Sequence, residues 1–275
     1  MLALLLPLAS AQDTTAAGAL PAGLNTQLFR PTVDGQRTLW TNDTLLADSG
    51  ETTGRGLLSY ASSPLTYTTD DGDVTELVSD VFQLSLLGAH TRGPVRFGLD
   101  LPLYLRAAGA LTGGETGLGD VSVSARLTAL DRREAPVGAA VAVGVILPTA
   151  TVEAPLGISG AGWEVEGIVD AELGGFLIAA NLGHRGQPEV ALENLDWDDQ
   201  LYTRVGAGYA LTERSGLSAD LSTSITYGGL GSGGVPVELL GGGYHRPTDT
   251  IVLRGGLGGG LNDAIGSPGP VSYTH

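Results

Sequence analysis

The sequence predicts an all-β protein, an antiparallel transmembrane β-barrel of about twelve strands, and three observations predict it. The first is composition. The 275 residues include 43 glycines, and 42% are hydrophobic while only 16% are charged. A soluble domain carries about a quarter charged residues, and glycine costs about 1 kcal/mol at each helical position. The second is periodicity: apolar residues recur at every second position over runs of about ten, the period of a strand. No run approaches the ~18 apolar residues that a spanning helix needs. The third is punctuation. Gly, Pro, Asn and Asp clusters divide the runs, and short and long connections alternate as they do in transmembrane barrels.

Charge and cysteine content exclude whole classes of function. Lys+Arg number 14 against 30 Asp+Glu, a formal charge of −16, and no lysine is present. So acidic a chain is a poor partner for nucleic acid, which needs a basic surface. The absence of cysteine excludes thiolate metal sites and thiol nucleophiles, and any stabilisation by disulfides.

Taken in order, the chain begins with MLALLLPLA, and Ala9-Ser10-Ala11 before Gln12 fits the small-x-small cleavage pattern of an export signal. Residues 1–11 are therefore expected to be a signal peptide, although a positive leading region is missing. Residues 12–53 alternate weakly and are expected to form a separate N-terminal segment, a plug or a periplasmic extension. The barrel is expected over residues 54–275. Its first two strands, Arg55–Tyr67 and Val78–His90, are less regular, with Asp70-Asp71-Gly72-Asp73 as the turn between them. Pro94–Ala107 is the clearest: Val95, Phe97, Leu99, Leu101, Leu103 and Leu105 share one parity, and Arg96, Asp100, Tyr104 and Arg106 lie on the other. After the turn-like Thr112-Gly113-Gly114-Glu115, Asp120–Leu130 sets Val121, Val123, Ala125 and Leu127 against Asp120, Ser122, Ser124 and Arg126. Pro136–Leu147 is a weaker strand. Trp163–Leu173 opposes Trp163, Val165, Val169 and Leu173 to Glu164, Glu166, Asp170 and Glu172, with Ile168 the exception on the polar side. Phe176–His184 is weaker, and an acidic connection follows at Leu192–Asp199. Leu201–Leu211 and Leu217–Tyr227 then carry Arg204 and Asp220 on their polar parities. Val235–His245 contributes Glu238, and Ile251–Leu261 contributes Arg254.

These segments make eleven strands, and single-chain bacterial barrels carry an even number. GSPGPVSYTH at the end reads as a loop entering another strand. The expected barrel therefore has twelve strands with the last absent from this fragment.

Leu28-Phe29-Arg30-Pro31 with Asp34-Gly35, then Tyr60-Ala61 and Pro64-Leu65, then the hairpins, resemble the N-terminal region of long OmpA-family proteins of myxobacteria and related deltaproteobacteria. The resemblance implies a barrel that anchors a larger envelope protein, followed by calcium-binding repeats and a peptidoglycan-binding domain. Neither follows here. Peptidoglycan is thus expected as a partner only through a C-terminal domain outside this chain.

The polar parity should face the lumen. The pore-lining candidates are the carboxylates Asp100, Asp120, Glu164, Glu166, Asp170, Glu172, Asp220 and Glu238, and the arginines Arg96, Arg106, Arg126, Arg204 and Arg254. Two arrangements suit them: a water-filled pore whose carboxylate excess favours cations, or a salt-bridged interior that plugs the barrel. Twelve strands lie between the eight that side chains fill and the sixteen that leave a channel. The stripe of Glu164, Glu166, Asp170 and Glu172 invites calcium, but one strand spaces alternate residues about 6.6 Å apart, too far to build a site alone. Neither metal nor cofactor is expected. Nor is catalysis: the histidines are His90, His184, His245 and His275, and Gly157-Ile158-Ser159-Gly160 falls short of a Gly-x-Ser-x-Gly elbow. The glycine runs 241–243 and 258–260 lack the Gly-Lys of a phosphate loop and read as places where backbones approach closely.

The sequence reading is thus a bacterial outer-membrane barrel in contact with lipid and lipopolysaccharide, anchoring an envelope protein and passing small solutes with a weak preference for cations. Two alternatives stand beside it: an outer-membrane transporter for hydrophobic compounds or small anions, and a soluble secreted β-sandwich or solenoid that binds a ligand.

Overall fold

Alternation of the predicted kind yields fifteen strands and no helix among the described residues of a computed structural model. Those residues are 25, 29–35, 37–68, 74–109, 112–152, 156–192, 195–227, 235–248, 251–262 and 271–274. The expected signal peptide and the acidic turn at 70–73 lie outside them. In chain order the strands are β1 (Thr52–Thr68), β2 (Val74–Arg92), β3 (Val95–Gly109), β4 (Thr112–Leu118), β5 (Val121–Leu130), β6 (Val137–Leu147), β7 (Gly162–Leu173), β8 (Phe176–Gly186), β9 (Val190–Leu192), β10 (Leu195–Trp197), β11 (Gln200–Ala210), β12 (Ser215–Thr226), β13 (Val237–His245), β14 (Leu253–Gly260) and β15 (Val271–Thr274).

All pairings are antiparallel, and the sheet closes on itself. From β2 it runs through β1, β15, β14, β13, β12, β11, β8, β7, β6 and β5 to β3, which pairs back onto β2. β4 continues the β5 position along the far half of β3, so the ring has twelve positions. The twelfth strand, expected beyond the fragment, is represented by β15, which pairs with both β1 and β14. Closure is what lets a sheet sit in lipid, since neighbouring strands then pair each other's backbone groups; at the seam β15 supplies four rungs to β1 and four to β14. β9 and β10 form a separate hairpin in the connection read from sequence as an acidic loop.

The connections sort by length. Gly93-Pro94 joins β2 to β3, and Gly174-Gly175 joins β7 to β8. Gly174 and Gly175 have φ of 57° and 83°, the left-handed pair that a two-residue type I′ hairpin turn requires. Residues 131–136 and 211–214 make short turns at the same end. At the other end the connections are longer, notably 148–161 between β6 and β7.

The apolar parity faces outward. Phe97, Leu99, Val123, Val141, Val143, Val165, Val169, Ile178, Leu182 and Leu221 are exposed, while their neighbours Arg96, Asp100, Arg126, Glu166, Asp170 and Asp220 are buried. This inversion of the usual soluble pattern is the signature of a lipid-facing belt around a polar interior. Aromatic groups mark both rims. Trp163 stacks on His184, which tilts against Tyr227, at the long-loop end. Phe176 stacks on Tyr209 at the short-turn end. Phe176 and His184 are eight residues apart on β8, about 26 Å along a strand, or about 20 Å of height at a barrel tilt of about 40°, against an apolar band about 25 Å tall.

One expected lumen residue is misplaced. Arg106 is exposed, because a bulge at Leu105 shifts the β2–β3 register between Phe82 and Gln83 and buries Ala107 in its place. A bulge inserts one residue and exchanges the two faces beyond it.

Val169 lies near mid-belt on β7, half exposed beside lumen-facing Ile168. Val169→Arg should lower unfolding stability in lipid vesicles by about 2–4 kcal/mol, measured by denaturant titration. An unchanged midpoint would show that this face does not meet hydrocarbon.

Candidate functional site

The interior is occupied by the chain's own N-terminal segment. From residue 47 back to residue 29 the chain runs inside the ring, and Phe29, Leu39, Trp40 and Leu46 are all buried there. Its backbone polar groups must find partners away from water, and side chains of the wall supply them. Asp220 on β12 accepts from the N–H groups of Leu39 (3.0 Å), Trp40 (3.4 Å) and Thr41 (2.9 Å). Asn181 on β8 accepts from the Asn42 N–H at 2.7 Å and donates to the Asn42 carbonyl at 2.9 Å, imitating one rung of a ladder. Asp170 on β7 accepts from the N–H and hydroxyl of Thr44. The carbonyls are met by cations: Arg254 on β14 donates to Thr38, and Arg55 on β1 to Asp34 and Gly35.

Arg126, fully buried on β5, is the centre of this lattice. It donates to both oxygens of Asp34 (3.3 and 2.8 Å) and to the carbonyls of Asp43 and Leu45 (2.7 and 2.8 Å). One guanidinium thereby ties two stretches of the segment together. Among the described residues 29–47, no backbone–backbone bond to the wall accompanies these contacts.

Shape complements charge. A Cβ on Gly242 or Gly256 would stand 2.8 or 2.6 Å from Leu39 Cδ1, and one on Gly206 would stand 2.7 Å from Thr41 Cβ. The glycines of β11, β13 and β14 are therefore hollows into which the segment sits. Gly242 shows the close approach expected of the 241–243 run, while in the 258–260 run Gly258 lies against Leu239 and Leu240 of β13 and not against the segment.

The remaining sequence candidates fall into place around the segment. Arg96 lies 3.6 Å from Asp34. Glu166 pairs with Arg204 at 3.3 Å and accepts from Tyr202 and Asn42, while Arg204 stands over the Tyr202 and Trp40 rings. Glu164 pairs with Arg185. Glu172 meets Arg37 at 2.6 Å near the short-turn rim. Glu238 lines a small cavity with Trp40 and Arg204. Asp100 is buried on β3. Asp120 lies outside this lattice: it accepts from the N–H groups of Ala150 and Ile158 and so clamps the 148–161 connection into the long-loop mouth. Tyr104 assists by donating to the Leu156 carbonyl. The acidic stripe of β7 thus meets arginines and the segment, and no group able to hold a metal occurs among the described residues.

Sequence reasoning missed Arg30, Arg37, Arg55, Arg132 and Arg185 inside the barrel, and Asp34 and Asp43 on the segment. With Arg106 outside and these arginines inside, the expected carboxylate excess is offset. Asp43 is a special case. Both its oxygens are buried without a hydrogen bond, and the guanidinium of Arg132 stands at 3.7 Å. Burial pushes its carboxyl up against the opposing pull of Arg132 and Arg126.

No protein-family model and no curated protein matches the chain. Solved structures do. An outer membrane channel from Pseudomonas putida F1 matches with a TM-score of 0.63 at 16% identity, over 84% of this chain and 96% of that one. The outer membrane channel DcaP of Acinetobacter baumannii matches with a TM-score of 0.40 at 9% identity, over 85% of this chain and 98% of that one. The first likeness establishes the fold as that of an outer-membrane β-barrel channel. The OmpA-type resemblance finds no support among these neighbours.

The chain lacks cysteine, so a single Thr41→Cys reports on access to the segment. Asp220→Ala orphans three buried N–H groups, each costing about 1–3 kcal/mol, and should speed maleimide labelling at that position at least tenfold. Asp43→Asn removes a carboxylate that makes no hydrogen bond and should leave labelling nearly unchanged. Equal rates in both backgrounds would refute the role of Asp220 in holding the segment. For Asp43 the sign is fixed: its raised pKa means that the ionised form opposes folding. Stability should therefore rise in the wild type, but not in Asp43→Asn, as pH falls through its folded-state pKa toward 3.8. Thermal melts across that range check this.

Proposed function

We propose that this protein is a channel of the bacterial outer membrane for small polar solutes, with residues 29–47 as its removable constriction. One observation carries the reading. The ring is held by backbone ladders, whereas the segment inside it is held by side chains of the wall. The segment can therefore shift while the sheet stays closed. A cavity of about 460 Å³ already opens at the short-turn end, lined by Arg37, Arg132, Glu172 and Glu213. In transmembrane barrels that end faces the periplasm, and the long connections face outward toward lipopolysaccharide.

The interspersed arginines and carboxylates favour polar cargo over hydrophobic compounds. Their near balance gives weak discrimination between cations and anions, since selectivity follows the net field of the lining charges. In this reading the chain performs no covalent chemistry.

Planar-bilayer recording tests the proposal. The wild type should give small or infrequent steps, and deletion of 29–47 should raise unit conductance at least fivefold with a reversal potential near zero in asymmetric salt. A deletion variant that folds and inserts yet stays silent would refute the channel.

A further inference from the structure

Beside the segment, between β3, β5, β6 and β7, lies a cavity of about 80 Å³. By the space that one water needs, it holds roughly five or six water-sized groups. Its floor is built from small residues on adjoining strands: Ser122 and Ser124 of β5, and Ala142 and Gly144 of β6. Its walls carry charge of both signs.

Four of the charged lining residues bury an atom that makes no hydrogen bond, Arg30 and Arg204 at Nε alone. Arg96 is 2% exposed, and its Nε and Nη1 have no hydrogen-bond partner, since Asp34 stands at 3.6 Å. Asp100 is 7% exposed, and its Oδ1 has none either. A buried donor or acceptor left without a hydrogen bond is costly, and a cavity lined by one of each suits a ligand that offers the converse of both.

Their spacing narrows the class. The two residues share the lumen face of β3 with Gly98 between them. A Cβ on Gly98 would stand 2.7 Å from Arg96 Nη1, so the guanidinium leans along the strand toward Asp100. From Gly98 to Asp100 is one strand repeat of about 6.6 Å. Two charge-assisted hydrogen bonds of about 2.8 Å each, joined by the three-bond O–C–C–N path of an α-amino acid, span that gap with room to bend.

We propose that this cavity is a binding site for a small zwitterion of α-amino-acid type, its carboxylate accepting from Arg96 and its ammonium donating to Asp100. The small floor limits the side chain to about the size of serine. The proposal rests on the channel reading only for the route by which solute arrives.

Equilibrium dialysis of the refolded protein in detergent micelles tests it without requiring conduction. Folding of each variant is verified by heat-dependent gel mobility. The probes are glycine, acetate and ethylammonium. Wild type should bind glycine at least tenfold more tightly than either single-charge probe. Asp100→Asn should weaken glycine at least tenfold and leave acetate unchanged. Ala142→Leu, which fills the floor without altering charge, should abolish glycine binding. Acetate binding within threefold of glycine would overturn the zwitterion assignment, as would glycine binding that both variants leave intact. Absence of glycine binding by the folded wild type would overturn the site itself. A barrel that binds glycine as expected but conducts nothing would refute the channel and keep the site.

Discussion

A backbone amide that is shut away from water must still be paired, and the whole molecule follows from meeting that demand on two sides. Outward, ring closure meets it, because each of the twelve ring strands bonds to a neighbour on both sides. Inward, a non-strand segment crosses the lumen and has no ladder to join. Asp220, Asn181, Asp170, Arg126, Arg254 and Arg55 take the ladder's place. The polar parity of the wall is thus largely a set of partners for one particular piece of backbone. This also explains why buried charges are tolerated there in such number: most of them are hydrogen-bonded.

Two grades of cohesion result. The eleven rungs of the β11–β12 ladder separate only if the wall itself opens. The contacts of the segment are individually modest, about 1 kcal/mol net for an ordinary hydrogen bond and more where charge is involved, and they involve side chains that can rotate away. Local opening follows the weaker grade. The interior can therefore rearrange within a wall that does not, a division of labour suited to passage through a membrane.

The strands were legible in the sequence because period two is a local signal. Runs such as Val95–Leu105 and Trp163–Leu173 announce their direction residue by residue, and all eleven predicted strands exist. What sequence missed is non-local or irregular. The bulge at Leu105 carries no compositional mark, so Arg106 was assigned to the wrong face. β4 hides in the glycine-rich stretch Thr112–Leu118, and β9 and β10 are too short for alternation to show. The segment at 29–47 has no period because its contacts follow no regular order: they go to β1, β5, β7, β8, β12 and β14 at uneven intervals. A trace was nonetheless present. Glycine at 206, 242 and 256 interrupts strands where a side chain was due, and each gap receives a residue of the segment.

Those gaps also fix the threading. Leu39 fits over Gly242 and Gly256, and Thr41 over Gly206. A slip of one residue would drive Trp40 toward the hollow shaped for leucine and would carry the Asn42 rung away from Asn181. The wall works like the tumblers of a lock, admitting one alignment of one key. A segment borrowed from another barrel would not seat unless the glycines travelled with it, so insert and wall are a single heritable unit although some two hundred residues separate their halves.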